Sequence, residues 1–202
     1  MKPFITMSIA SIFFAILPIY SESSKCVFSY NPANTKLEWT AYKFTEKLGV
    51  KGTFDKITVA GNKESSSIQS TMEQAKFSIQ SNDVNSGVPD RDGKIREYFF
   101  GSSLKAKTFE GSFDKVTGKN NGTAILNLQF NGKKKSIPVK YELNGNQLNL
   151  KGTLDVLDFG MSSGIQKLNE ICLELHKGKD GISKLWSVVD FEIISIFDKN
   201  CK

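Results

Sequence analysis

The sequence predicts an all-β fold of about eight antiparallel strands with one or two short helices. Three observations support this. Apolar and polar residues alternate along most of the chain from residue 36 onward, the alternating segments are separated by turn-forming pairs such as Asn131-Gly132 and Asn144-Gly145, and only two segments show helical spacing. Short alternating strands with tight turns are typical of a sandwich or a closed barrel. No internal repeat or long linker interrupts the pattern, so a single domain is expected.

The period of two assigns the strands in order. They fall at residues 36–42, 50–59, 75–79, 109–113, 124–130, 137–141, 148–156 and 189–193. In the first of them, Leu37, Trp39 and Ala41 share one face, as in a half-buried strand. Two segments, 90–100 and 162–176, instead place apolar residues at steps of three and four, which predicts helices.

The first residues predict export. Lys2 precedes an uncharged apolar run that ends near Pro18 and is followed by small polar residues. This pattern is typical of a cleaved signal peptide, assigned to residues 1–23, and leaves residues 24–202 as the mature domain. The alternative is an uncleaved anchor, because a run of this length could span a bilayer. The expected location is the periplasm or the exterior.

Three cysteines in an exported chain raise the question of disulfide pairing. Cys26 lies near the start of the mature chain and Cys201 near its end, and they would face each other if the terminal strands were antiparallel neighbours. That pairing would leave Cys172 as a buried thiol. The alternative is that all three are unpaired, since spacing alone does not establish disulfide geometry.

Composition and motifs argue against several function classes. The net charge of +6 is dispersed among acidic neighbours, so no nucleic-acid partner is expected. The chain has one histidine, His176, and none of the motifs of hydrolases or phosphate-binding enzymes, so no catalytic residues are assigned. The cysteines and His176 are too scattered for zinc, and residues 90–93 fail the calcium-loop template. No metal or resident cofactor is expected.

The aromatic content is the most informative part of the composition. The chain has 15 Phe, 5 Tyr and 2 Trp, and many of these residues share the apolar face of their strands. An eight-stranded barrel can fill its interior with side chains or hold one small ligand. Both interpretations, a packed core and a ligand-lined interior, are open on these grounds.

Several motifs, in this order and spacing, resemble the YceI-like family of exported lipid-binding proteins. They are LEWTAYKF at 37–44, VKGTF at 50–54, SNDVNSG at 81–87, DRD at 90–92, FF at 99–100, LNLQFNGKKKSIPV at 126–139 and LDFGM at 157–161. The resemblance runs from about Tyr30 to Phe197. It implies an elongated, lipocalin-like antiparallel barrel with a long interior tunnel that binds polyisoprenoid chains, such as quinone tails, or other amphiphiles.

By this resemblance, the inward apolar residues would line the tunnel. The predicted lining is Trp39, Ala41, Phe54, Phe77, Ile79, Phe99, Phe109, Phe113, Leu128, Phe130, Leu150, Phe159, Phe191 and Ile193. Each methylene removed from water contributes about 0.8 kcal/mol, so a long prenyl chain needs no polar anchor.

Many family members have a histidine near the end of the first strand, where this chain has Lys43 or Phe44. Lys43 and Arg91 are therefore the candidate contacts for the head group of a quinone-like or phosphorylated lipid. For both, the alternative is an ordinary surface or turn ion pair.

The leading prediction is thus a carrier or store of a long-chain lipid without enzymatic activity. The main alternative is a structural, interaction or stress-related protein with a packed interior. A lipid-modifying enzyme is disfavoured because no nucleophile–base set is visible. Homodimer formation and transient membrane contact are left open.

Overall fold

The computed structural model describes residues 25–61 and 63–202, so the predicted signal peptide lies outside the described residues. Ten strands form one antiparallel sheet and two form a separate small sheet. Eight of the ten are long enough to alternate. They are β2 (Thr35–Lys43), β3 (Leu48–Phe54), β5 (Lys76–Gln80), β7 (Thr108–Gly118), β8 (Asn121–Phe130), β9 (Lys133–Asn144), β10 (Gln147–Asp155) and β11 (Leu185–Ile196).

The all-β prediction is confirmed, and these eight strands correspond to the eight predicted. The predicted strand 50–59 is divided in two, at residues 48–54 and 58–60. With its second part, the structure has four further strands of two to four residues, which are too short to show a period of two. They are β1 (Cys26–Ser29), β4 (Thr58–Ala60), β6 (Val84–Asn85) and β12 (Asp198–Cys201).

The large sheet curls around a common interior in the order β4-β5-β7-β8-β9-β10-β11-β2-β3-β6. Its two edges, β4 and β6, are brought close by the chain. Residues 55–57 lead from β3 to β4, and residues 81–83 lead from β5 to β6. Where the two links meet, the Asp55 amide donates to the Asp83 carbonyl at 2.8 Å. The barrel is therefore closed at this seam by connections rather than by a full ladder.

The helices lie at the two ends of the barrel. Helix α1 (Ile68–Gln74) is at one end, while α2 (Pro89–Lys94) and α3 (Ser162–Ile171) are at the other. Helix α1 was not predicted from the sequence. It spans only two turns, and its clearest signal is Ser67, whose side chain accepts from the Ser70 amide as an N-cap.

Both predicted helices exist, and the second is shorter than its periodic segment. Segment 90–100 is helical throughout, as α2 continued directly by a π-helical turn (Ile95–Phe99). Segment 162–176 is helical only as far as Ile171, and a separate 3₁₀ turn covers Glu174–His176. The apolar spacing continues across this break, so the periodicity overestimates the length of the second helix.

The chain termini pair as β1 and β12, with Cys26 directly opposite Cys201. The two cysteines form a disulfide, and Cys172 is a buried free thiol. The predicted pairing is confirmed. Below, the end of the barrel with this ribbon and α1 is called the disulfide end, and the opposite end is called the α3 end.

The apolar face of each long strand points inward. The core side chains Leu126 and Phe130 on β8 and Leu150 on β10 are at most 4% exposed. Within residues 25–61 and 63–202, no α-helix has the length and apolarity needed to cross a bilayer.

Candidate ligand-binding cavity

The barrel interior contains a cavity of about 260 Å³ with an almost entirely apolar lining. Engineered apolar cavities of about 150 Å³ stay dry and bind apolar guests, so this space suits an apolar ligand better than water. All fourteen residues predicted to line a tunnel lie on its wall, from Trp39 on β2 to Ile193 on β11. Their contact with a ligand stays a prediction.

Many inward side chains are only half-buried although they face the interior. Trp39, Phe54, Phe77 and Phe113 are in this group, while Leu128 and Phe130 across the barrel are 5% and 2% exposed. The half-buried group lies on β2, β3, β5 and β7. The cavity therefore lies towards these strands, and the β8–β10 side of the interior is packed.

Four aromatic rings lie flat on the barrel wall because a glycine faces each of them on the next strand. The cross-strand pairs are Trp39–Gly52, Phe77–Gly111, Tyr141–Gly122 and Phe191–Gly152. A Cβ atom would lie 2.1 Å from the Trp39 ring if placed on Gly52, and 2.2 Å from the Phe77 ring if placed on Gly111. Only a glycine lets an aromatic side chain cover the neighbouring strand in this way.

Three of these rings, Trp39, Phe77 and Phe191, also line the cavity. A large ring normally projects into a barrel and fills it. Here the rings rest against the wall, so they supply apolar surface and leave the lumen open. The role of these glycines depends on which residues pair across neighbouring strands, which the sequence pattern did not show.

The polar groups of the lining are bonded within the protein. Trp39 Nε1 donates to the Thr53 carbonyl at 3.0 Å, and Trp186 Nε1 donates to the Phe44 carbonyl at 2.7 Å. The hydroxyls of Thr35 and Ser195 are 2.6 Å apart. Since these groups are already paired, the wall offers a ligand mainly dispersion and desolvation.

A cluster of phenylalanines packs the interior near α2. The rings of Phe109 and Phe130 stack at a centroid distance of 3.9 Å, and Phe100 meets both edge-on at 5.9 and 6.0 Å. Phe159 contacts Phe130 at 6.1 Å. This cluster of packed rings bounds the cavity on one side.

The cavity is closed at the disulfide end. Thr71, Met72, Ser195 and Phe197 line it there, and each is at most 3% exposed. Helix α1 is fixed in place from outside, where the Gln69 side chain donates to the Lys119 carbonyl at 2.8 Å in the β7–β8 turn. Burial raises the pKa of Tyr30, whose ring also lines this end.

At the α3 end the lining is half-buried. It consists of Ala41 on β2, Ile165 and Leu168 on α3, and Leu185 and Trp186 on β11. Helix α3 covers them and packs closely on the π-helical turn at Gly164, where a Cβ would lie 2.8 Å from the Phe99 carbonyl oxygen. These contacts depend on tertiary structure, so Leu168 and Trp186 were missed by the strand pattern.

Neither candidate head-group residue is part of the cavity wall. Lys43 lies at the end of β2, and its Nζ donates to the Leu175 carbonyl at 3.0 Å. Arg91 donates from Nε to the Ser86 hydroxyl at 2.7 Å and from Nη2 to the Ser86 carbonyl at 2.8 Å. Arg91 thus holds a loop, and contact of either residue with a ligand stays a prediction.

His176 and Cys172 lie close in sequence beside α3. Burial, together with the positive charge of Lys43, lowers the pKa of His176 to about 4, so the ring is neutral at pH 7. Its Nδ1 is 3.1 Å from Asn169 Oδ1. Burial raises the pKa of the Cys172 thiol, which makes it a poor nucleophile. In the part of the chain that the structure describes, no three His, Cys, Asp or Glu residues are grouped to hold a metal.

Together, the curled antiparallel sheet and the apolar cavity define a barrel-like domain of lipocalin-like form. The family profile of the YceI-like domain matches residues 28–177. The chain therefore belongs to the YceI-like family.

Solved structures show the same fold. A polyisoprenoid-binding domain from Saccharophagus degradans, implicated in plant cell wall breakdown, matches with a TM-score of 0.58 at 15% identity, over 88% of this chain and 100% of that one. BcnA of Burkholderia cenocepacia matches with a TM-score of 0.50 at 14% identity, over 82% and 98%. The YceI protein of Campylobacter jejuni matches with a TM-score of 0.51 at 17% identity, over 79% and 89%. A search of curated protein sequences finds no match.

Proposed function

We propose that this protein is an exported carrier or store that holds a long-chain isoprenoid, or another amphiphilic lipid, in the barrel interior. The observation that carries the proposal is the apolar cavity, whose polar wall groups are already bonded within the protein. The polyisoprenoid-binding domain among the structural neighbours supports the same ligand class.

Binding without catalysis fits the chemistry of the wall. Among the residues that the structure describes, those that line the cavity include no carboxylate, lysine, histidine or cysteine. Each methylene placed there contributes about 0.8 kcal/mol, so a chain of several isoprene units is retained without a charged anchor. Periplasmic or secreted location is part of the proposal, and the Cys26–Cys201 disulfide supports it because such bonds persist in oxidising compartments.

The ligand class is tested by native mass spectrometry with organic extraction, on protein purified from its own host. A bound species of isoprenoid mass is expected. An empty protein that also fails to bind prenyl alcohols in vitro would favour the alternative of a packed structural or interaction protein.

The cavity itself is tested through the glycines under the aromatic rings. Gly52→Ala and Gly111→Ala each place a methyl group against a ring, which must move into the lumen. If the ring displaces about two methylenes of ligand, affinity for geranylgeraniol falls about tenfold. Both tryptophans of the chain line the cavity, so intrinsic fluorescence reports the titration.

Gly93→Ala is the matched control, because a Cβ at Gly93 on α2 meets nothing within 4 Å. Its affinity should equal that of the wild type. Equal affinity in all three variants, with folding intact, would show that the prenyl chain does not occupy this cavity.

A further inference from the structure

Exposed apolar side chains are concentrated at one end of the barrel. Among the described residues, ten large apolar side chains are exposed, and eight of them lie at the α3 end, seven in loops or helices and Leu48 at the start of β3. The other two, Ile194 and Ile196, are on the outer face of β11 near the disulfide end. A soluble protein rarely groups such residues without a partner for them.

Five of the eight form the surface that we call the α3 rim, made by residues 43–48 and 171–184. They are Leu48, Ile171, Leu173, Leu175 and Ile182, between 48% and 57% exposed. Hydrogen bonds join the two segments. Lys43 Nζ donates to the Leu175 carbonyl, and the Phe44 amide donates to the Lys184 carbonyl at 2.9 Å.

The rim also carries cations that contact aromatic rings. Lys184 Nζ is 3.8 Å, and Lys47 Nζ 5.0 Å, from the centre of the Trp186 ring, while Lys43 Nζ is 4.5 Å from that of Phe44. Over residues 25–61 and 63–202, none of these three lysines forms an ion pair with a carboxylate. The two rim segments hold five lysines against Glu46, Glu174 and Asp180, which leaves a net charge of +2 with His176 neutral. Exposed aliphatic residues beside Trp and an excess of Lys match the chemistry of an anionic bilayer surface.

The rim is continuous with the cavity. Trp186 on β11 connects the two, since its ring contacts the rim lysine Lys184 and also lines the cavity with Leu168 and Leu185. We propose that the α3 rim docks on the surface of an anionic phospholipid bilayer. The docking proposal rests on the proposed function only where it explains what docking is for. Docking would bring the less buried end of the cavity to the lipid phase.

A protein partner fits the rim less well. A protein interface typically excludes lysine from its core, whereas the lysines here lie among the apolar residues. At a bilayer, long lysine side chains extend to the phosphates while neighbouring leucines enter the acyl boundary.

The test is flotation with vesicles of phosphatidylcholine alone, or of phosphatidylcholine with phosphatidylglycerol, both free of isoprenoids. Binding to the anionic vesicles only is expected. The double variant Lys47→Gln/Lys184→Gln should bind about 25-fold more weakly at low salt, since each lysine near an anionic surface contributes about fivefold. Leu173→Ser/Leu175→Ser should also release the protein.

Two double variants at the disulfide end are the matched controls. Ile194→Ser/Ile196→Ser removes exposed apolar residues, and Lys115→Gln/Lys119→Gln removes one lysine near the end of β7 and one in the β7–β8 turn. Both should bind like the wild type. Absence of binding to anionic vesicles, or equal losses in the rim and control variants, would overturn the proposal.

Self-association that is abolished by Leu173→Ser/Leu175→Ser, without vesicle binding, would also overturn it by showing that a second copy covers the rim. Prenyl-alcohol binding in solution is measured separately. Failure of docking therefore leaves the carrier proposal standing, and failure of prenyl binding leaves docking standing.

Discussion

At the disulfide end the cavity is bounded by several side chains that are almost completely buried, whereas at the α3 end half-buried residues of α3 and β11 cover it and the α3 rim outside its wall is exposed. Ser195 and Phe197 are 2% and 3% exposed at the first end, while Leu175 in the α3 rim is 57% exposed. A covalent bond also joins the chain termini at the first end. A barrel that exchanges a long apolar ligand needs stability in one region and accessible apolar surface in another, and this chain separates the two.

Among the changes that test this contrast between the two ends, removing the disulfide should have the largest effect on stability. Cys26→Ser/Cys201→Ser opens a loop with a sequence separation of 175 residues. The free energy of unfolding, measured by urea denaturation, should fall by about 4 kcal/mol. Cys172→Ala, which removes a thiol and keeps the disulfide, should cost about 1 kcal/mol. Equal losses would show that the ribbon does not stabilise its end.

Truncating one apolar side chain at each end should sharpen the comparison. Phe197→Ala removes a buried ring that packs edge-on against Tyr30 at 6.3 Å, and should cost about 3 kcal/mol. Leu175→Ala should change stability by no more than about 0.5 kcal/mol, because its side chain is already in water. A large loss from Leu175→Ala would mean that the rim is structural.

The smallest expected effect is a pH dependence at the α3 end. The folded-state pKa of His176 is about 4, below the ordinary value of 6.5, so between these values the unfolded chain binds more protons than the folded one. Stability should therefore decrease as the pH falls from about 6.5 to about 4. Because the ring is only half-buried, solvent weakens this effect.

His176→Gln should reduce the change in melting temperature between about pH 6.5 and pH 4. In the wild type, the NMR resonance of the single histidine should titrate near pH 4. The carboxylates of Asp180 and Asp190 also have lowered pKa values, but they lose their contribution below about pH 4 in both proteins. A measured histidine pKa of 6.5 or above would contradict the buried, neutral ring.

The strand pattern predicted the parts of the structure that obey a local rule. The alternation of apolar and polar residues placed Trp39, Phe77 and Phe191 on the inner face of the sheet, because successive side chains of a strand point to opposite faces. It could not predict α1, whose two turns carry too little periodicity. Nor could it predict that Trp186 faces the cavity, since this depends on how α3 lies across the barrel end.

By itself, the sequence determined the all-β class, the eight long strands and their inward faces, because each follows from alternation or turn residues. It suggested Cys26 and Cys201 as a disulfide pair but left the pairing open, and the antiparallel pairing of the terminal strands decided it. Only the tertiary structure decided that glycines hold aromatic rings against the wall and leave a cavity. It also decided that leucines and lysines from distant segments meet around Trp186. Both features are contacts between strands or loops far apart in the chain, which local patterns do not encode.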